Sequence, residues 1–141
     1  MVTPPPNCND SLRESAAFGG QSGDGVTHAD CLFCKIARRE IPSTVVYESE
    51  GVLGFTDIHP QAPVHDLFIP KIHVAGVGEI PPGIEAIIGD LVGAAHHVAR
   101  QKKIADSGYR LVINRGREGG QTVDHLHVHL LGGRRMTWPP G

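Results

Sequence analysis

Aromatic side chains make up only 5% of this 141-residue chain, so any core must be packed mainly by aliphatic groups. The hydrophobic share of 40% is enough for one such core and one domain. No apolar run approaches the roughly 20 residues that cross a bilayer as a helix, so no membrane partner is expected. Excess positive charge is missing too: 13 Lys+Arg stand against 15 Asp+Glu, a net charge of −2. That balance argues against nucleic acid as the main partner. Three cysteines make no disulfide framework. The N-terminus shows no basic stretch followed by an apolar core, so no secretory signal is expected and the chain reads as cytoplasmic. Aliphatic periodicity is absent from residues 1–28, which run through Pro4-Pro5-Pro6, Gly19-Gly20 and Ser22-Gly23-Asp24-Gly25. Such a segment cannot bury enough surface to offset its ordering entropy. A disordered tail is expected there, leaving 29–141 as the domain.

What is present begins with Asp30, positioned to cap a short helix ending near Arg39, before Ile41-Pro42. Strand-like runs follow at Thr44–Tyr47 and Val52–Asp57, joined through Gly51 in a hairpin. His59-Pro60-Gln61-Ala62-Pro63 is a rigid loop into a third strand, Val64–Ile69, stopped by Pro70. Residues Gly83–Lys103 carry Ile84, Ile87, Ile88, Leu91, Val92, Ala95, Val98 and Ala99, which form one stripe on a long helix. After Gly108 comes a fourth strand, Tyr109–Asn114, and then the last. Short links and local hairpins imply an α+β domain, a five-stranded, mostly antiparallel sheet covered by helices.

The last strand carries the chemistry. In Asp124-His125-Leu126-His127-Val128-His129-Leu130-Leu131, histidine alternates with branched aliphatic residues. Alternation on a strand puts His125, His127 and His129 on one face and Leu126, Val128 and Leu130 on the other. Imidazoles near their ordinary pKa of about 6.5 serve as nucleophiles, acids, bases or metal ligands close to neutrality. Immediately upstream, Asn114–Thr122 holds Gly116, Gly119 and Gly120. Glycines at this density allow a loop whose N–H groups converge on an anion. The loop is neither a P-loop nor G-x-G-x-x-G. Cys31-x-x-Cys34 leaves three readings open: a redox pair, half of a zinc site, or two buried small hydrophobes.

Taken together, Gly119-Gly120-Gln121-Thr122, two residues, and then His125-x-His127-x-His129 resemble the histidine-triad (HIT) family. Cys31-Leu32-Phe33-Cys34-Lys35-Ile36, Arg39-Glu40-Ile41-Pro42, Phe55-x-Asp57-Ile58, Pro60-Gln61-Ala62-Pro63-x-His65 and Ile69-Pro70-Lys71-x-His73 follow in that family's order. The ending Leu131-Gly132-Gly133-Arg134-Arg135-Met136-x-Trp138-Pro139-Pro140-Gly141 is similar to its Hint branch, and the match covers about residues 31–141. The resemblance implies a homodimer paired through the long helix and adjacent strand into one continuous sheet. It implies hydrolysis of purine nucleoside 5′-monophosphoramidates (AMP or GMP derivatives) through a nucleotidyl-histidine, with His127 as nucleophile and no catalytic metal. His129 and His65 would bond the phosphate, and Thr122, where serine is more usual, would assist the leaving group. Asp57 and Ile58 would hold ribose and base, with Asn114, Gly120, Gln121 and Thr122 completing the nucleotide site. Structural zinc would sit on Cys31, Cys34, His73 and His125. Asp124 departs from the family, which usually has an aromatic residue there. His28, His59, His96 and His97 read as ordinary surface histidines.

Rival readings are dinucleoside-polyphosphate hydrolysis or nucleotidyl transfer, as in other branches, and a non-enzymatic purine-nucleotide-binding regulator. A catalytic zinc site on the His-x-His strand is a further one, disfavoured by the phosphate-type loop.

Overall fold

The computed structural model describes residues 28–141; the expected tail falls outside them, His28 apart. A 3-10 turn at His28–Asp30 leads into α1 (Leu32–Ala37), then β1 (Val45–Glu48), β2 (Val52–Thr56) and β3 (Val64–Pro70). Another 3-10 turn at Val77–Glu79 precedes α2 (Ile87–Gln101), β4 (Tyr109–Val112), a one-turn α3 (Gly116–Gly119) and β5 (Val128–Gly132). The strands form one antiparallel sheet in the order β1-β2-β3-β5-β4. The expected α+β architecture is therefore present.

The sheet is covered on both faces because its central strands alternate between two apolar clusters. Val52, Phe68, Val128 and Leu130 face α2, whose Leu91, Ala94, Ala95, Val98 and Ala99 are buried against them. Leu53, Phe55, Leu67 and Ile69 face α1, packing with Phe33, Cys34 and Ile36. Gly54 belongs to the first face for a steric reason: a Cβ there would lie 2.6 Å from the Phe68 ring and 3.1 Å from Tyr47 Cβ. A carboxylate lies inside. Asp66, 0% exposed, takes Lys102 Nζ at 2.7 Å and the Thr56 hydroxyl at 3.1 Å, tying the end of α2 to β3.

Helices α1 and α2 differ in detail from the expectation. The cap of α1 is Cys31, whose Sγ accepts the Cys34 N–H, and not Asp30, which lies in the preceding 3-10 turn. Helix α2 starts at Ile87 instead of Gly83, because Pro81-Pro82 and a positive-φ Gly83 set a turn first. Val92 is exposed, since one step from Leu91 turns a side chain about 100° off the stripe.

Candidate functional site

The regular strand β5 begins only at Val128, so His125 and His127 precede it. They still turn to the same side as His129: after a bend at 123–125 the Leu126 N–H donates to Val74 O, which orders the approach to the strand. Leu126 and Val128 thus enter the core under α2, while the imidazoles turn toward α1. Phe33 meets both His125 and His127 edge-on, with centroids 5.9 and 5.1 Å away. Its packing role was not expected from the sequence, though it stands inside the Cys-x-x-Cys motif.

His127 is buried, and its Nδ1 lies 2.7 Å from the carbonyl oxygen of His125. A carbonyl can only accept, so Nδ1 carries the ring proton and Nε2 keeps a lone pair. Beside it, with ring centroids 5.0 Å apart, stands His129. The β3–β5 register sets Leu67 opposite His129 and His65 opposite Leu131, which makes His65 and His129 diagonal neighbours. Their Nε2 and Nδ1 atoms are 2.9 Å apart, and Asp57 Oδ2 lies 3.3 Å from His65 Nε2. Burial pushes the pKa of His65, His127 and His129 below the ordinary imidazole value, His129 to about 4 with help from the neighbouring His127 and His65. At neutral pH the site is a set of uncharged rings.

Of the other expected residues, Asp57 touches these rings directly, through His65. Asp57 follows β2 and turns Oδ1 to the His59 N–H at 2.8 Å. Ile58 beside it is 85% exposed, an apolar side chain on the open rim. Asn114 is half-buried beyond β4, and Gly120 and Thr122 are exposed on the glycine loop. Positive φ at Gly116 and Gly120 brackets the single turn of α3. Gln121 uses its side-chain amide to brace that loop, accepting from Gly116 N and donating to Ala75 O and Val123 O. Asp124 is exposed.

A second cluster lies behind the triad. Cys31 Sγ and Cys34 Sγ are 3.3 and 3.6 Å from His125 Nδ1, and Cys34 Sγ is 3.3 Å from His73 Nδ1. All four ligand atoms fall within 4.8 Å of one another. Tetrahedral zinc with bonds of about 2.0–2.3 Å requires ligand separations of about 3.5 Å, so the donor set fits it. His125 is already the right tautomer: its Nε2–H donates to Pro70 O at 2.9 Å, leaving the Nδ1 lone pair on the sulfurs. The Cys31 thiol is held down at about 2, first by its hydrogen bond with Cys34 and then by His125 and His73, against the opposing effect of burial. Both cysteines are free of disulfides. His96, one of the histidines read as ordinary, bonds the Tyr109 hydroxyl on the α2 flank, away from this face.

Comparison with known proteins agrees with this geometry. Residues 38–136 match the HIT domain family. The chain is 54% identical over 112 residues to the 14 kDa zinc-binding protein of Zea mays, covering 78% of this chain and 87% of that one. It is 46% identical over 130 residues to adenylylsulfatase HINT1 of Arabidopsis thaliana, covering 91% and 85%. The crystal structure of a HIT family hydrolase from Legionella pneumophila superposes with a TM-score of 0.77 at 49% identity, covering 79% of this chain and all of that one. With the triad, the glycine loop and the Cys/His cluster in place, this chain belongs to the HIT domain family, in its Hint-like branch.

Proposed function

We propose that residues 29–141 form a homodimeric nucleoside 5′-monophosphoramidate hydrolase that cleaves adenylyl or guanylyl P–N bonds. The observation that carries the reading is the His127 ring, neutral and anchored through Nδ1, with its Nε2 lone pair free beside the His65–His129 pair. In this reading Nε2 attacks the α-phosphorus and a new P–N bond forms as the bond to the leaving amine breaks. The departing amine takes a proton, passed from solvent by the exposed Thr122 hydroxyl. The adduct ring keeps its Nδ1–H on His125 O, so the positive charge it gains is met by a carbonyl dipole. Water then attacks phosphorus, the nucleotide leaves, and the neutral ring is restored.

His129, accepting at Nδ1 from His65, has Nε2–H to offer a phosphate oxygen as charge develops. Exposed N–H groups of the glycine loop complete the cradle, and Asp57 with Ile58 offers a carboxylate to the ribose hydroxyls and an apolar wall to the base. Cys31, Cys34, His73 and His125 would hold zinc, which would supply a structural cross-link between α1, the exit of β3 and the approach to β5.

The Arabidopsis relative is named an adenylylsulfatase, which supports an adenylyl group as the transferred part and a second leaving group, sulfate, for the same site. Turnover of adenosine 5′-monophosphoramidate, adenylyl sulfate and a dinucleoside polyphosphate, each with and without chelator, tests the proposal. Preference for the phosphoramidate, unaffected by chelator, supports it. Preference for the dinucleotide, or no turnover of any, overturns it.

A further inference from the structure

Asp57, His65 and His129 bring a carboxylate oxygen and two ring nitrogens within 4.8 Å of one another. Two histidines and one carboxylate are a familiar metal-binding set. Yet this trio differs from the Cys/His cluster in one respect. The backbone N–H of Gln61 lies 2.9 Å from His65 Nδ1. A backbone N–H can only donate, so Nδ1 must be the accepting nitrogen, and the neutral ring carries its proton on Nε2. That proton sits between His129 Nδ1 at 2.9 Å and Asp57 Oδ2 at 3.3 Å. It occupies the position where a metal ion would need a lone pair. In the other cluster Pro70 O does the reverse to His125, turning a lone pair inward.

Residue 61 is fixed from several sides. Its carbonyl accepts from Arg134 Nη2 and Nε at 3.0 and 3.3 Å, and its side-chain amide donates to His59 O at 2.9 Å. His59 in turn donates its N–H to Asp57 Oδ1 at 2.8 Å. The turn after β5 closes on the same loop at Gly133, where φ is +88° and a Cβ would lie 2.8 Å from Pro63 Cβ. Only glycine allows that approach.

We propose that the Gln61 N–H is a tautomer lock on His65. It makes the Asp57–His65–His129 trio a hydrogen-bond relay and keeps it from taking the divalent metal that the Cys/His cluster is built for. Gln61 is thereby a positioning residue, acting on the phosphate site through His65 and His129. The role given to His129 rests on the proposed hydrolase; the tautomer does not.

The test needs no substrate. In the full-length protein labelled with 15N, long-range proton–nitrogen correlation reads the two ring nitrogens of His65. The expected spectrum has Nδ1 unprotonated, Nε2 protonated, and a scalar coupling across the hydrogen bond from the Gln61 amide nitrogen to Nδ1. Gln61→Pro removes the N–H, should populate both tautomers, and should bind one zinc ion per chain more than wild type in equilibrium dialysis. Gln61→Ala keeps the N–H and should match wild type in both. A wild-type His65 protonated on Nδ1 overturns the lock, and so does a folded Gln61→Pro with unchanged tautomer and zinc stoichiometry. Where that variant does not fold, the wild-type spectrum decides alone. A locked His65 in a protein without hydrolase activity would refute the proposed function and leave the lock standing.

Discussion

The Nδ1–H of His127 donates to the carbonyl oxygen of His125 at 2.7 Å, so one residue of the triad orients the ring of the next. The same His125 turns its own side chain away, into the Cys/His cluster. The Cys/His cluster and the proposed nucleophile therefore share a residue: its ring serves one and its backbone the other.

That sharing makes the cluster a test of the fold. Cys31→Ser should lose bound zinc and lower the melting temperature markedly, because structural metal binding contributes directly to folding free energy. Serine is chosen because it can still cap α1 as Cys31 Sγ does, so the loss reports the metal and not the cap. Zinc content by elemental analysis together with thermal unfolding checks this. Protein purified without chelator that contains no zinc would remove the metal from the account.

The acid limb of kcat/KM should lie below the 6.5 of a free imidazole. Burial lowers the pKa of His127 and His129, the latter to about 4, so each ring takes up its proton at a lower pH than a free imidazole. Activity that needs a neutral His127 is then held as pH falls through 6.5 and is lost only below it. Stability follows the same sign. A histidine with a depressed folded-state pKa contributes above its unfolded value, and that contribution is lost as pH falls through the folded one. A rate profile with its midpoint near 6.5 would show that the rings are not desolvated as described.

Much of this was legible in the sequence, and the parts that were not share a physical cause. Alternation of His125, Leu126, His127, Val128 and His129 fixed which side chains share a face, since that depends on extended backbone alone. It did not reveal that the ladder starts at Val128, because Leu126 bonds instead to Val74 in an irregular segment. Cys31 and Cys34 stood out as a pair, but 94 residues separate Cys31 from His125, and only the family resemblance joined them. The Gln61 N–H and the Pro70 carbonyl are backbone groups, which every sequence carries and none advertises. Asp66 was hidden for another reason: it interrupts the apolar run Val64–Ile69, and nothing near it in sequence pointed to Lys102.

Lys102→Met should destabilise the chain by about 3 kcal/mol, the order expected when one partner of a buried ion pair is removed. Asp66 would be left 0% exposed with only the Thr56 hydroxyl for company. Both residues belong to the face under α2, so kcat of the folded protein should stay near wild type. Chemical denaturation checks the stability, and a cost under about 0.5 kcal/mol would place this pair with the weak surface ion pairs.

Light scattering should give a dimer mass at micromolar concentration. Strand β4 ends the sheet with an unpaired edge among the described residues, and Val92 is exposed on α2. Trp138, exposed near the end of the chain with Arg110 5.9 Å from its ring, would reach toward the partner's site. Truncation after Met136 should then change substrate preference more than melting temperature. A monomer mass would contradict the continuous-sheet dimer.

The central claim is that His127 attacks phosphorus, and rapid-quench mass spectrometry of the enzyme during phosphoramidate turnover tests it most directly. The account predicts a nucleotidyl group on the peptide containing His127, acid-labile as a P–N bond should be. In His127→Ala both adduct and turnover should be absent, while nucleotide binding through Asp57 and Ile58 is largely kept. Hydrolysis with no trapped adduct, together with an active His127→Ala, would contradict it.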